Sequence, residues 1–129
     1  MKSITPISET VTRDKEQWKT VGSRIFAFYG CSETVPEVGR CIDFWKKDRR
    51  VPEGEMIPGL GFLLGDLILT KHGGSWVWVE DEFGQVPAIQ RASDGWIAYV
   101  LDAVSKRLRD DASAEREFPT LVDSYVQLS

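Results

Sequence analysis

Histidine and cysteine, the side chains that most often bind transition metals or act as nucleophiles, are scarce in this 129-residue chain, which has one histidine and two cysteines. His72 has no second histidine with which to complete a zinc shell, and we expect it to end a helix. Cys31 and Cys41 lack the C-x-x-C spacing. One disulfide is arithmetically available, but two reduced, partly buried thiols are the favoured interpretation. We therefore expect no metal site, no cofactor and no catalytic residue.

Long apolar runs are also missing. No stretch reaches the roughly eighteen apolar residues that a membrane-spanning helix needs. The first residues, MKSITPISETVTRDKEQ, contain no apolar core of a signal peptide. These features predict a cytoplasmic protein with no membrane partner. The length predicts a single domain over 1–129, with residues 1–10 as a loose arm.

Positive charge is in deficit, because 16 Lys and Arg residues face 20 Asp and Glu residues, for a net charge of −4. Nucleic acid is therefore not the expected partner, since phosphate binding requires a basic surface. An acidic surface favours solubility, and it also suits binding to a basic protein.

Apolar residues at helical spacing predict two N-terminal helices. The first has Thr12 as its N-cap and ends near Gly30. The second begins at a T-x-x-E capping box, Thr34 to Glu37, with proline in its first turn. It ends in a basic cluster before residues 51–54, which break the helix.

A third helix is predicted over 57–72, and it is apolar on nearly every side. Such a helix is typical of the centre of a domain. Gly61 and Gly65 lie four residues apart and form a notch where a backbone or a bulky ring can approach closely. The pair Gly73 and Gly74 ends the helix.

Three antiparallel strands are predicted next, over 75–82, 86–92 and 96–100, joined by tight turns. Pro87 suggests an edge or a bulge in the second strand. Helical spacing resumes at Leu101, and a last helix is predicted after Pro119. The fold class is therefore α+β: N-terminal helices, a central buried helix, a three-stranded antiparallel meander and C-terminal helices.

The first predicted strand has large apolar residues on both faces. Trp76 and Trp78 share one face, and Val77 and Val79 share the other. A strand of a small open sheet usually has one polar face. Either both faces of this strand are covered, or the tryptophan face is partly exposed as a binding surface.

Three consecutive acids follow those tryptophans. Neighbouring residues of a strand point in opposite directions, so these carboxylates need oxygens from elsewhere to enclose a cation. A solvated turn is the first interpretation and a contact with a basic protein is the second. The predicted partner-binding residues are Trp76, Trp78, Glu80, Asp81 and Glu82.

Asp66 lies on the otherwise apolar third helix. A buried carboxylate with a raised pKa would serve as an acid or a base. The favoured alternative is that Asp66 accepts a hydrogen bond from Thr70, from a tryptophan indole or from the backbone, and so fixes the helix against the sheet.

Three short motifs stand out together: L-L-G-D at residues 63–66, W-V-W-V-E-D-E-F-G at 76–84 and S-K-R-L at 105–108. In this combination they resemble a bacterial family known as domain of unknown function 3806. The likeness runs from Gly61 over roughly the C-terminal half. It implies a layout of helix, tryptophan strand, acidic turn, meander and basic helix. It implies no activity, since the family has none assigned.

Two functions remain open. The first is a small acidic interaction protein of the bacterial cytosol without catalytic activity, such as an immunity or antitoxin-like protein that neutralises a partner protein. The alternative is a small enzyme or ligand-binding domain with a pocket near Asp66 and His72.

Overall fold

The computed structural model describes residues 2–82 and 84–109, which form four helices and one four-stranded antiparallel sheet. The predicted α+β class is confirmed, and the predicted helix after Pro119 lies outside the described residues. In chain order the elements are β1 (Ser3–Pro6), α1 (Glu9–Tyr29), α2 (Val35–Asp48), α3 (Glu53–His72), β2 (Ser75–Asp81), β3 (Gly84–Gln90), β4 (Ile97–Ala98) and α4 (Val100–Arg109).

The sheet has a strand that the sequence did not reveal. Strand β1 pairs with β2, with Ser3 opposite Glu80 and Pro6 opposite Val77. The prediction of a loose arm is therefore wrong for these residues. All four residues of β1 are exposed, so they show no apolar alternation. What orders them is the free backbone edge of β2, which offers unpaired N–H and C=O groups.

The predicted meander is present in a shorter form. Strand order follows chain order, and β4 pairs only with Ile89 and Gln90 of β3. Pro87, opposite Trp78 of β2, lies outside the stretch that β4 covers. The proline thus borders the open part of the β3 edge, where its missing N–H costs no ladder hydrogen bond.

Helix α1 begins earlier than predicted. Its N-cap is Ser8, whose Oγ accepts a hydrogen bond from the Val11 N–H at 3.1 Å. Thr12 lies one turn further in and donates its hydroxyl to the Ser8 carbonyl at 2.9 Å. The predicted C-cap is confirmed, because Gly30 is left-handed with a φ of 69°.

Helix α2 has the predicted N-cap, Thr34, but its side chain makes no capping hydrogen bond. The Glu37 carboxylate instead accepts from the Ser32 N–H at 3.4 Å and from Arg40 at 3.2 Å. The capping box is therefore incomplete. The apolar residues that lie at helical spacing on α2 form a buried inner stripe of Val38, Cys41, Ile42 and Trp45.

Helix α3 is the central element, as predicted, and it contacts α1, α2, α4 and β3. It begins at Glu53 rather than at residue 57, with Pro58 inside it. Gly54 lies in the first turn, where the backbone N–H groups of any helix have no intrahelical acceptor. A glycine is tolerated there, so Gly54 does not break the helix. Among the described helices, none combines the length and the apolar character needed to cross a bilayer.

Glycines allow other elements to approach α3 closely. A methyl group added at Gly22 of α1 would come closer than 3.0 Å to the carbonyl oxygen of Gly59. One added at Gly61 would lie 2.8 Å from Cγ of Leu101 on α4. The predicted notch is confirmed, because α4 packs closely against Gly61 and the ring of Trp76 packs closely against Gly65.

Candidate functional site

Both faces of β2 are covered over much of its length. Trp76 is 7% exposed and belongs to the main core, whereas Val77 and Val79 are 5% and 1% exposed and form a second cluster with Ala88. Trp78, on the same face as Trp76, is only half-buried. The strand is thus apolar on both sides because two separate clusters use it.

The indole of Trp76 packs tightly against α3. Its ring fills the space above Gly65 and packs against Phe62, with centroids 5.3 Å apart. Ile89 is its neighbour on β3. The indole N–H donates a hydrogen bond of 2.6 Å to Oδ1 of Asp66. Trp76 therefore fastens the sheet to the central helix, and its buried side chain does not contribute to an exposed binding surface.

Two lysines of α1 complete the surroundings of Asp66. Lys19 forms an ion pair with Oδ2, and Nζ of Lys15 lies 3.6 Å from Oδ1. The Lys15 ammonium also lies 5.9 Å from the centroid of the Trp76 ring. We call Lys15, Lys19, Asp66 and Trp76 the Asp66 junction. It joins α1, α3 and β2.

The charge state of Asp66 follows from these contacts. Burial by itself would raise the pKa of Asp66, but the hydrogen bonds from Lys19 and Trp76 and the nearby positive charges outweigh it and lower the pKa. The hydrogen bond to Asp66 in turn raises the pKa of Lys19. Of the two interpretations of Asp66, the structural one is confirmed, with the indole N–H as the partner.

Asp66 and His72 do not form an acid–base pair. Six residues separate them on α3, which places them about 120° apart around the helix axis. His72 ends the helix, as predicted. A proton donor or acceptor at neutral pH needs a pKa near neutrality, and that of Asp66 is displaced in the other direction.

The Asp66 junction predicts a loss of stability in acid. Because the folded state lowers the pKa of Asp66 from its ordinary value of 3.8, the stabilisation is complete above that value and is lost as the pH falls below it. Asp66→Asn should be less stable than the wild type at pH 7, and the difference should shrink below the ordinary pKa. Urea unfolding across this pH range measures it. A constant difference would contradict the assigned charge state.

The acidic end of β2 is arranged as the alternation requires. Glu80 lies on the tryptophan face and is exposed, Asp81 lies on the valine face and is half-buried, and Glu82 is exposed in the turn. Within residues 2–82 and 84–109, no three His, Cys, Asp or Glu side chains are grouped closely enough to hold a metal ion.

A cleft of about 450 Å³ lies at this end of the sheet. Its lining combines two carboxylates with apolar and backbone surface: Asp81, Gly84, Gln85, Val86, Tyr99 and Asp102. We call it the tip cleft. It was not predicted, because Tyr99 precedes α4 and Asp102 lies in its first turn, about twenty residues along the chain from Asp81. The alternation that placed Asp81 opposite Glu80 carries no signal about that meeting.

Arg91 is a second feature that sequence reasoning missed. Only 3% of this residue is exposed. Its Nε donates to Oδ1 of Asp94 at 2.8 Å, and its guanidinium lies 5.1 Å from the centroid of the Trp96 ring. The same Oδ1 accepts the Trp96 N–H at 3.0 Å. The hydrogen bond from Arg91 lowers the pKa of Asp94. The arginine thus stabilises the predicted tight turn between β3 and β4.

A comparison with protein families matches residues 50–117 to a model described as domain of unknown function DUF3806. The match spans more than half of the chain. The chain belongs to the DUF3806 family. The matched segment begins before α3 rather than at Gly61, so the expected position in the C-terminal half is corrected to a more central one. Comparisons with curated proteins and with solved structures gave no match.

The DUF3806 segment contains Asp66, Trp76 and the described residues of the tip cleft, whereas α1 and β1 precede it. Lys15 and Lys19 therefore reach Asp66 from outside the matched segment. Two of the three partners of Asp66 are thus supplied by a part of the chain that the family model does not cover.

Proposed function

We propose that this DUF3806 protein is a non-catalytic interaction protein of the bacterial cytosol that binds a basic segment of another protein at the acidic end of its sheet. The observation that carries the proposal is the tip cleft, where Asp81 and Asp102 flank an aromatic and aliphatic surface formed by Tyr99 and Val86. A concave, mainly apolar surface with a few oriented polar groups is typical of a recognition site.

The chemistry of the cleft favours a lysine or arginine side chain. Nζ of Lys2 lies 5.7 Å from the centroid of the Tyr99 ring, so this ring already contacts a cation within the molecule. Asp102 pairs with Lys106 at 3.0 Å, but both side chains are more than half exposed, and such a pair contributes little. A guanidinium from a partner can replace Lys106 and bind the carboxylate with two hydrogen bonds.

The charge around the cleft also favours a basic partner. Glu80 and Glu82 are exposed beside it, and the chain has a net charge of −4. A negative surface accelerates association with a basic partner and disfavours acidic competitors. Half-buried Trp78 lies on the face of Glu80, opposite Asp81, and is outside the lining of the cleft.

Among interaction proteins we propose the class of immunity or antitoxin-like inhibitors. Small size, net negative charge and an acidic cleft suit a protein that neutralises a basic partner by covering its surface. The contacts of Asp66 do not favour the alternative of an enzyme centred on Asp66 and His72, because the two lysines and the indole already occupy the Asp66 carboxylate.

Charge reversal at the cleft tests the proposal. Affinity capture from a native bacterial lysate, followed by mass spectrometry, identifies the partner, and calorimetry then measures its affinity. We expect Asp81→Lys to weaken binding by about tenfold or more, since a like charge then faces the cation of the partner. Affinity for wild-type protein should fall with added salt.

Asp14→Lys on α1 is the matched control, because it makes the same change of charge at an exposed residue outside the lining of the tip cleft. Its affinity for the captured partner should stay within about twofold of wild type at moderate salt. Far-UV circular dichroism confirms that each variant is folded. Equal weakening by Asp14→Lys and Asp81→Lys would show that overall charge, and not the cleft, determines binding.

A further inference from the structure

The two cysteines of the chain meet where α1 is followed by α2. Neither forms a disulfide. Cys41 is completely buried on the inner stripe of α2, and Cys31 is half-buried against the same core. The two thiol groups lie within hydrogen-bonding reach of each other. Ten residues separate them in the sequence, so the contact is a product of the turn between the helices.

The backbone holds Cys31 in this position. Its N–H donates to the carbonyl of Phe26 at 2.9 Å, across the left-handed Gly30 that ends α1. The hydroxyl of Tyr29, two residues earlier, donates to Oδ1 of Asp48 at 2.7 Å and so ties the end of α1 to the end of α2. These two hydrogen bonds hold the end of α1 against the end of α2.

We propose that Cys31 and Cys41 form a reversible intramolecular disulfide when the protein meets hydrogen peroxide, which makes the α1–α2 corner a redox-sensitive switch. In a reducing cytosol, free thiols are the resting state, and disulfides that form there are mostly transient or regulatory. The proposal does not depend on partner binding, because neither cysteine lines the tip cleft.

Accessibility assigns the order of the steps. The thiolate of half-buried Cys31 attacks one oxygen of the peroxide, the O–O bond breaks, and Cys31 becomes a sulfenic acid with release of water. The sulfur of Cys41 then attacks the sulfenic sulfur, the S–O bond breaks and a second water leaves with the thiol proton. Two electrons pass from the sulfurs to the peroxide. Burial raises the pKa of Cys41, which makes it the resolving rather than the attacking thiol.

The test uses the full chain and hydrogen peroxide. After mild oxidation we expect intact mass to fall by two hydrogen atoms, alkylation of the denatured protein to label neither cysteine, and peptide mapping to find the 31–41 cross-link. Dithiothreitol should restore both thiols. The oxidised protein should unfold at higher urea concentration than the reduced protein, because the disulfide restricts the unfolded chain.

The matched variants are Cys31→Ala and Cys41→Ala. Peroxide should leave Cys41 unmodified in the first variant and give a stable sulfenic acid, trapped by dimedone, at Cys31 in the second. If Cys41→Ala does not fold, the peptide map of the wild type decides alone. The proposal is overturned if wild-type Cys31 proceeds to the sulfinic acid while Cys41 remains alkylatable, or if the only disulfide found joins two chains.

Discussion

Gly65→Ala is expected to lower the free energy of unfolding by about 3 kcal/mol. A methyl group at this position would come closer than 3.0 Å to two ring atoms of Trp76 and would lie 3.3 Å from Cγ2 of Ile89. The ring cannot move away freely, because its N–H is bonded to Asp66 and its other side packs on Phe62. Urea unfolding followed by tryptophan fluorescence measures the change.

Gly54→Ala is the matched control for this experiment. Gly54 lies on the same helix, is exposed, and has no atom within 4 Å of the added methyl group. Alanine is a better helix former than glycine by about 0.8–1 kcal/mol, so the control should be neutral or stabilising. Equal effects of the two substitutions would contradict the close packing of the Trp76 ring against Gly65.

Trp76→Ala is expected to cost about 3–5 kcal/mol, the range for removing a large aromatic from a core. The loss combines the ring contacts with Phe62 and Gly65 and the hydrogen bond to Asp66. For a domain with the usual total stability of about 5–15 kcal/mol, this is a large fraction. Thermal and urea unfolding should both show it, with a midpoint far below that of the wild type.

Trp78→Ala separates this effect from the general loss of a tryptophan. Trp78 lies on the same strand and the same face but is only half-buried, so we expect a cost of about 1 kcal/mol. Comparable losses for the two variants would mean that Trp76 is not the anchor of the sheet.

A double-mutant cycle measures how much the hydrogen bond between Trp76 and Asp66 contributes to the free energy of unfolding. Trp76→Phe keeps an aromatic ring against Gly65 and removes the indole N–H. Asp66→Asn removes the charge of the acceptor. The two changes should be coupled by about 1–2 kcal/mol, because they remove the same charge-assisted hydrogen bond.

Local patterns predicted the helices better than the strands. The stripe of α2 and the nearly uniform apolar surface of α3 are properties of residues within a few turns, and the structure buries both. The starts of α1 and α3 were each predicted about four residues late. Ser8 and Thr12 are both competent N-caps, and Gly54 signals a break although a first helical turn accepts it.

The tryptophan strand shows where local patterns stop being sufficient. Alternation placed Trp76 and Val77 on opposite faces, and the structure agrees. It did not distinguish buried Trp76 from half-buried Trp78, which have the same residue type and the same face. The difference arises because Gly65 of α3 lies beneath the first ring. How deeply each tryptophan is buried therefore depends on the element that packs against it and not on the strand itself.

The sequence by itself determined the α+β class, the central position of α3, the glycine notch, the divergence of the acidic side chains and the net charge. Each of these follows from residue type and short-range periodicity. Only the tertiary structure decided that β1 joins the sheet, that lysines of α1 neutralise Asp66, that Asp81 meets Tyr99 and Asp102, and that Cys31 lies near Cys41. These contacts depend on the path of the chain between distant residues, because periodicity specifies which face is apolar and not what that face will meet.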